Sequence, residues 1–278
     1  MELSARRERV ALILICAFAV GFRLVRLGAL SFAGDEETTT LAAMALLKGW
    51  PPTLPGGLVY LRGLPFTFLE AIAFRAAGLD EFALRLFPVL LAGPRIAAAW
   101  WLARPYLGAP AALAVAGILA VTPLDVEISR YARMYSLFAT LDLVFVAGVV
   151  HLCLGERGAP RVAAAGILSS ITHDIGVMHA PLPILALLCR GLTRESVARL
   201  ASVAALALGG YVVTHYLNQI SYGGTGVADA SAIDLSPVAL HWQRIAALMD
   251  SRAAPILAGV GVLAAIGWTF AGQRGLRL

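Results

Sequence analysis

Long apolar runs separated by short polar segments dominate the hydrophobic pattern of the chain. Eight of them read as membrane-crossing helices, covering residues 10–25, 86–103, 111–124, 136–154, 162–172, 177–189, 197–217 and 253–271. Several are shorter than the roughly 20 residues that cross about 30 Å of hydrocarbon, so tilting or local bilayer thinning is expected. The pattern predicts an all-α polytopic membrane protein with about eight transmembrane helices.

A polar stretch follows the first apolar run and contains three consecutive acids, Asp35, Glu36 and Glu37. Acids in a mostly apolar chain are costly unless they face water or a cation. The pattern predicts a short interfacial helix over residues 36–50, with Asp35 as its N-cap and a loop rich in proline and glycine after it.

The positions of the arginines decide the predicted orientation. Charged residues interrupt the apolar segment 61–77, and a membrane-spanning segment there would place the later arginines outside, against the positive-inside rule. We therefore predict that 61–77 packs at the outer face, in one long external loop. The N-terminus and these arginines then face the cytoplasm: Arg157, Arg161, Arg190, Arg194 and Arg199. A cleaved signal peptide over the first run is the alternative that we disfavour.

Composition agrees with a membrane protein, because 59% of the residues are hydrophobic and only 14% are charged. The net charge of +5 comes from scattered basic residues, which favours contacts with lipid head groups and no nucleic-acid partner. The cysteines lack metal-ligand spacing. We predict one transmembrane domain over residues 1–278, in which 191–278 adds two further spans and an external segment, 218–252.

This predicted topology gathers acids, arginines and a histidine at the outer ends of the spans. Acids in such a cluster could deprotonate a hydroxyl or hold a divalent metal, and arginines could hold a phosphate. A phosphate at a membrane surface indicates a lipid phosphate. The cluster comprises Asp35, Glu36, Glu37, Asp125, Glu127, Arg130, Arg133, Tyr135, His173 and Asp174.

Three motifs resemble the GT-C membrane glycosyltransferases, and in particular glycosyltransferase family 39 and its aminoarabinose-transferase branch. Asp35-Glu36 followed by Trp50-Pro51-Pro52 resembles their first external loop, the stretch 129–137 resembles their second, and Thr172-His173 resembles a third recurrent position. The resemblance covers about residues 1–190. Tyr135 stands where aminoarabinose transferases carry an acid, which argues against that substrate.

The resemblance implies transfer of a sugar from a polyprenyl-phosphate donor to an acceptor, by an inverting displacement at the non-cytoplasmic face of a bacterial or archaeal plasma membrane. Metal dependence stays open, and the acceptor is unknown. The implied roles are general base for Asp35 with Glu36 beside it, donor-phosphate binding for Arg130, Arg133 and Tyr135, and orientation or metal binding for His173 and Asp174.

Simpler interpretations stand beside these roles. Asp35 could be only a helix cap, the two arginines interfacial anchors, Tyr135 part of an aromatic belt, and His173-Asp174 a solvated turn. The string Asp125-x-Glu127 fits a solvated loop better than a metal motif. Arg95 and Asp142 fall at similar depth on neighbouring spans, so we expect a structural ion pair between them. A transporter or flippase for a lipid-linked substrate, or a non-catalytic subunit, are the alternative functions.

Overall fold

The computed structural model describes residues 5–154, 156, 158–179, 181–183 and 194–222, which are mostly helical and contain no β-strand. The predicted span 253–271 and nearly all of the segment 218–252 lie outside this described part, as do Arg157 and Arg190. The described helices are α1 (Ala5–Leu24), α2 (Gly34–Lys48), α3 (Leu64–Ala77), α4 (Glu81–Leu90), α5 (Ala92–Val121), α6 (Pro123–Ile128), α7 (Tyr135–Cys153), α8 (Ala159–Thr172), the 3-10 helix η1 (Asp174–His179) and α9 (Arg194–Tyr222).

Helix α5 folds back on itself at Gly108, whose φ of 76° breaks the helix. Ile96 from the first arm and Ala120 from the second both pack against Ala19 of α1, so the two arms run in opposite directions. Small alanines along the second arm let the helices approach closely. The predicted break between the runs 86–103 and 111–124 is therefore confirmed.

Helices α7, α8 and α9 form a second packed layer. Phe145 of α7 lies against Gly166 of α8, where an added Cβ would come within 2.7 Å of its ring. Further along, the Thr214 hydroxyl of α9 donates to the Ser170 carbonyl at 2.6 Å. Because Leu200 and Val203 pack near the start of α8 and Thr214 near its end, α8 and α9 run parallel, as the predicted order of spans requires.

The exterior of the fold is apolar and much of its charge is buried. Five large apolar side chains on one face of α1 are exposed. Five charged side chains away from that face are at most 2% exposed. This distribution suits a hydrocarbon surrounding. The exposed set is Val10, Ile13, Leu14, Phe18 and Phe22, and the buried set is Arg23, Glu36, Glu70, Arg95 and Arg133.

Three described segments are long and apolar enough to cross a membrane, Glu81–Val121, Tyr135–Cys153 and Leu200–Leu217. The chain is thus consistent with an all-α membrane protein, but these segments do not amount to the eight predicted spans. Neither the segment 61–77 nor the predicted first span 10–25 is among them, and α3, within 61–77, packs against α2.

The prediction of an ion pair between Arg95 and Asp142 is wrong. Arg95 instead donates to Asp125 from its Nη2 at 3.0 Å, and Arg23 donates to the same oxygen at 2.7 Å. Asp125 is 6% exposed at the start of the short helix α6, so the prediction of a solvated loop there is also wrong; of the two acids, Glu127 alone is exposed. One buried acid thus joins α1, α5 and α6 between two arginines.

Candidate functional site

Asp35 lies in the first turn of α2 with its side chain 72% exposed. The N-cap of α2 is Ala33 and not Asp35, so the predicted capping role is wrong. The predicted helix itself is confirmed, with Gly34–Lys48 in place of 36–50. Acids in a first turn are stabilised by the free N–H groups of the helix, which accounts for the local sequence.

Glu36 is the acid that fixes this part of the fold. It is 1% exposed, and Arg85 binds it with two hydrogen bonds, from Nε at 2.8 Å and from Nη2 at 2.7 Å. The backbone N–H groups of Ala132 and Ala33 donate to it at 2.8 and 3.1 Å. Burial favours a raised pKa for Glu36, but these four hydrogen bonds outweigh burial and hold its pKa below the ordinary value.

Arg133 connects the second predicted loop to Asp35. Its Nη2 donates to the Asp35 carboxylate at 3.2 Å, and its Nη1 donates to the Asp35 carbonyl at 3.0 Å, the Thr39 hydroxyl at 2.9 Å and the Tyr60 hydroxyl at 3.0 Å. The Arg133 side chain is only 3% exposed. The structure therefore brings Asp35 and Arg133 together, with Arg133 beneath the exposed carboxylate.

Tyr135 and His173 form a tilted pair of rings beside Arg133. The Arg133 guanidinium lies 5.6 Å from the centre of the Tyr135 ring, and the Tyr135 and His173 rings are 5.9 Å apart. Burial lowers the pKa of His173, and the positive charges of Arg62 and Arg133 lower it further, against the opposite effect of Asp174. His173 thus lies beside Tyr135 at one wall of the site around Asp35 and Arg133. Asp174 follows it as the first residue of η1.

A basic cavity opens next to this helix end. It encloses about 220 Å³, and Arg26, Arg85 and Arg130 contribute to its lining together with Tyr131. Arg26 has the left-handed backbone φ of 54°, which is unusual outside glycine, and it is exposed. Two acids, Glu36 and Glu127, also line the cavity, as does Ala33, whereas Asp35 is adjacent to this lining in the sequence but is not part of it. We call this space the Arg26–Arg130 cavity.

Glu70 is a buried acid that the sequence did not single out. It is 2% exposed on α3, its Oε1 accepts from the Thr40 hydroxyl at 2.9 Å, and its Oε2 has no hydrogen-bond partner in the described part of the chain. Burial raises the pKa of Glu70 to about 8, the Thr40 hydrogen bond and Arg133 lower it, and Glu36 raises it. A neutral carboxyl therefore packs beneath α2 at neutral pH.

Glu70→Gln should stabilise the protein increasingly as the pH rises. The unfolded carboxyl loses its proton near 4.5, but the folded one keeps it to about 8. Between these values the folded parent binds one more proton than the unfolded chain and loses about 1.4 kcal/mol of stability per pH unit. This stability is fully present below pH 4.5 and is lost by about pH 8. Glutamine carries no such dependence and still accepts from Thr40.

Melting temperatures in detergent micelles from pH 5 to pH 9 would measure this difference. The matched control is Glu37→Gln, which changes an exposed acid on α2. The difference between parent and Glu70→Gln should widen up to about pH 8 and then level off, whereas parallel curves would contradict the assignment.

Arg85 and Glu70 are the site residues that the sequence did not reveal. Arg85 directly precedes the predicted run 86–103. A charged residue at the edge of an apolar run was the one sign in the sequence of its buried ion pair with Glu36. The described residues contain no group of three or more histidines, cysteines or acids placed to hold a metal ion. We therefore derive no step through a metal.

Comparisons with known proteins identify no family: no model of a protein family matches the chain, and no curated protein matches it.

Proposed function

We propose that the chain is a membrane glycosyltransferase that moves a sugar from a polyprenyl-phosphate donor to an acceptor hydroxyl at the non-cytoplasmic face. The observation that carries the proposal is the exposed Asp35 carboxylate, fixed from below by the buried Arg133. The two residues come from the two loops that resemble those of GT-C enzymes. An exposed acid that is held in one position is what a general base requires.

Asp35 takes the proton of the acceptor hydroxyl while the oxygen attacks the anomeric carbon of the sugar. The bond from that carbon to the phosphate oxygen breaks, and the polyprenyl phosphate leaves with the electron pair. The proton on Asp35 then passes to water, since the side chain is largely exposed. Arg133 and Glu36 position the base: the first holds its carboxylate, and the second fixes its helix through Arg85 and Ala132.

The donor phosphate is assigned to the Arg26–Arg130 cavity. Arg133 is buried and already donates to Asp35, Thr39 and Tyr60, so it serves the base better than the phosphate. Arg130 reaches the cavity while its Nη2 donates to the Val25 carbonyl at 3.0 Å. No carboxylate pairs with Arg26 or Arg130 within the part of the chain that the structure describes, which leaves their positive charge for an anion.

Arg130→Ala should weaken use of the donor by about 10- to 100-fold in kcat/KM, because a hydrogen bond to a charged group contributes about 1.5–3 kcal/mol. Arg130→Lys should lose less of kcat/KM, since lysine keeps the positive charge but cannot make the bidentate contact with a phosphate. Initial rates at varied donor concentration would measure the effect. Arg75→Ala is the matched control, as Arg75 is an exposed arginine near the end of α3. Parent-like kinetics of Arg130→Ala would remove the cavity from the donor site.

Purified protein in detergent or liposomes, offered a panel of polyprenyl-phosphate sugars, tests the proposed function. Transfer from one member of the panel to a hydroxyl-bearing acceptor, with release of polyprenyl phosphate, is the expected result. Binding of a donor without transfer would instead favour a non-catalytic subunit.

The same proposal includes the eight predicted spans, the N-terminus in the cytoplasm and the site outside. Two contacts at the opposite end of the helices support the arrangement. Arg104 pairs with Glu8, and the His151 ring stacks on Trp101 at 4.4 Å, so the N-terminal end of α1, the middle of α5 and the last turn of α7 lie together. A transporter is the second candidate, and one observation favours it: Asp142 of α7 pairs with His179 of η1.

A further inference from the structure

Asp142 lies where an acid is costly. It is on α7 between Leu141 and Leu143, in one of the three segments apolar enough to cross a membrane, and its side chain is 39% exposed. Charged side chains inside a bilayer normally face a partner or a water-filled space, and they mark functional positions by default. The proposed sugar transfer makes no use of Asp142.

His179 is the partner that the fold provides. Its Nε2 contacts the Asp142 Oδ1, and the imidazole is 2% exposed between the rings of Phe138 and Phe145, whose centres are 6.2 and 4.7 Å away. The His179 Nδ1 is buried and has no hydrogen-bond partner among the residues that the structure describes. The pair therefore has one apolar side and one open side.

We propose that Asp142 and His179 together bind an exchangeable proton inside the bilayer. With imidazole and carboxylate alone, the pair carries a net charge of −1, on a carboxylate whose side chain is 39% exposed. One added proton makes it neutral, either as imidazolium with carboxylate or as imidazole with carboxylic acid. In both forms Nδ1 carries a hydrogen, and a single unbonded N–H costs less than an uncompensated charge.

No arginine or lysine pairs with Asp142 in the described part of the chain, so an added proton is what neutralises the charge of the pair. Arg85 pairs with Glu36, Arg95 shares the single Asp125 carboxylate with Arg23, and Asp142 has no ion-pair partner other than His179 among the described residues. The charged and titratable groups that the elements around the pair contribute at this end are Arg85, Arg95, Tyr135, His173, Asp174, Tyr211 and His215.

Phe138 joins the pair to the candidate site. Its ring lies 5.1 Å from that of His173 and 6.2 Å from that of His179, so the two histidines flank one aromatic side chain. The proton site is thus next to the wall of the Asp35 site but below it along α7. The inference requires that α7 crosses a membrane, and it does not depend on sugar transfer.

Labelling with a membrane-soluble carbodiimide, dicyclohexylcarbodiimide, tests the proposal in liposomes containing the full chain. A protonated carboxyl adds across the carbodiimide to give an O-acylisourea, which rearranges to a stable N-acylurea with no leaving group. Mass spectrometry should find the adduct on Asp142, decreasing as the pH is raised from 5 to 9. Asp142→Asn should lose it, whereas Glu70→Gln, which changes a fully enclosed acid, should keep it.

His179→Phe separates the pair from a lone acid. Without the imidazole, Asp142 loses the group that pairs with its carboxylate, so labelling should persist to higher pH than in the parent. Four results would overturn the proposal: no adduct on Asp142, an adduct only with a water-soluble carbodiimide, labelling independent of pH, or an unchanged midpoint in His179→Phe. Circular dichroism of each variant confirms that it is folded.

Discussion

Asp125→Ala should destabilise the protein by about 3–5 kcal/mol or prevent its folding, because it leaves two buried arginines without their shared carboxylate. Arg23 is fully buried and Arg95 is 2% exposed, and both donate to Asp125 Oδ2. Neither guanidinium can reach water without moving α1 or α5. Asp125→Asn should be intermediate, since the amide oxygen still accepts while the charge is lost.

Glu127→Ala is the matched control, because it removes an exposed acid from the same short helix. Yield of monodisperse protein and melting temperature in detergent would compare the variants. We expect Glu127→Ala to match the parent within about 0.5 kcal/mol. If Asp125→Ala melts like Glu127→Ala, the buried arginine cluster does not hold α1, α5 and α6 together.

Asp35→Asn should lower sugar transfer by about 10²–10⁴-fold while leaving the fold intact. Asparagine keeps an oxygen that can accept from Arg133, but it cannot take a proton from the acceptor. The Asp35 side chain is mostly exposed and does not cap α2, and the other hydrogen bonds of Arg133 stay in place, so we expect the variant to fold. A near-normal melting temperature with lost turnover would identify Asp35 as the base.

The sequence predicted the outline of the helices well because apolar runs and their breaks are local properties. The run that became α7 and the turn at Gly108 both follow from the pattern along the chain. The gathering of Asp35, Arg133 and His173 at one end also followed, since each ends or begins an apolar run.

The partners of the buried charges did not follow from the sequence. The length of a run fixes the depth of a residue, but not the side of the helix that it occupies. Arg95 and Asp142 share a depth, yet Arg95 faces α6 and Asp142 faces η1. Glu36 and Arg85 are 49 residues apart, and the local pattern of the sequence gives no sign of their contact.

The most direct measurement of the central claim is the initial rate of sugar transfer by the parent, Asp35→Asn and Glu37→Gln, assayed side by side with one polyprenyl-phosphate sugar. Glu37 is an exposed acid on the same helix, and Arg133 donates to Asp35 instead of to it. The parent and Glu37→Gln should turn over alike, and Asp35→Asn should be at least about 100-fold slower. Parent-like transfer by folded Asp35→Asn would contradict the assignment of Asp35 as the base.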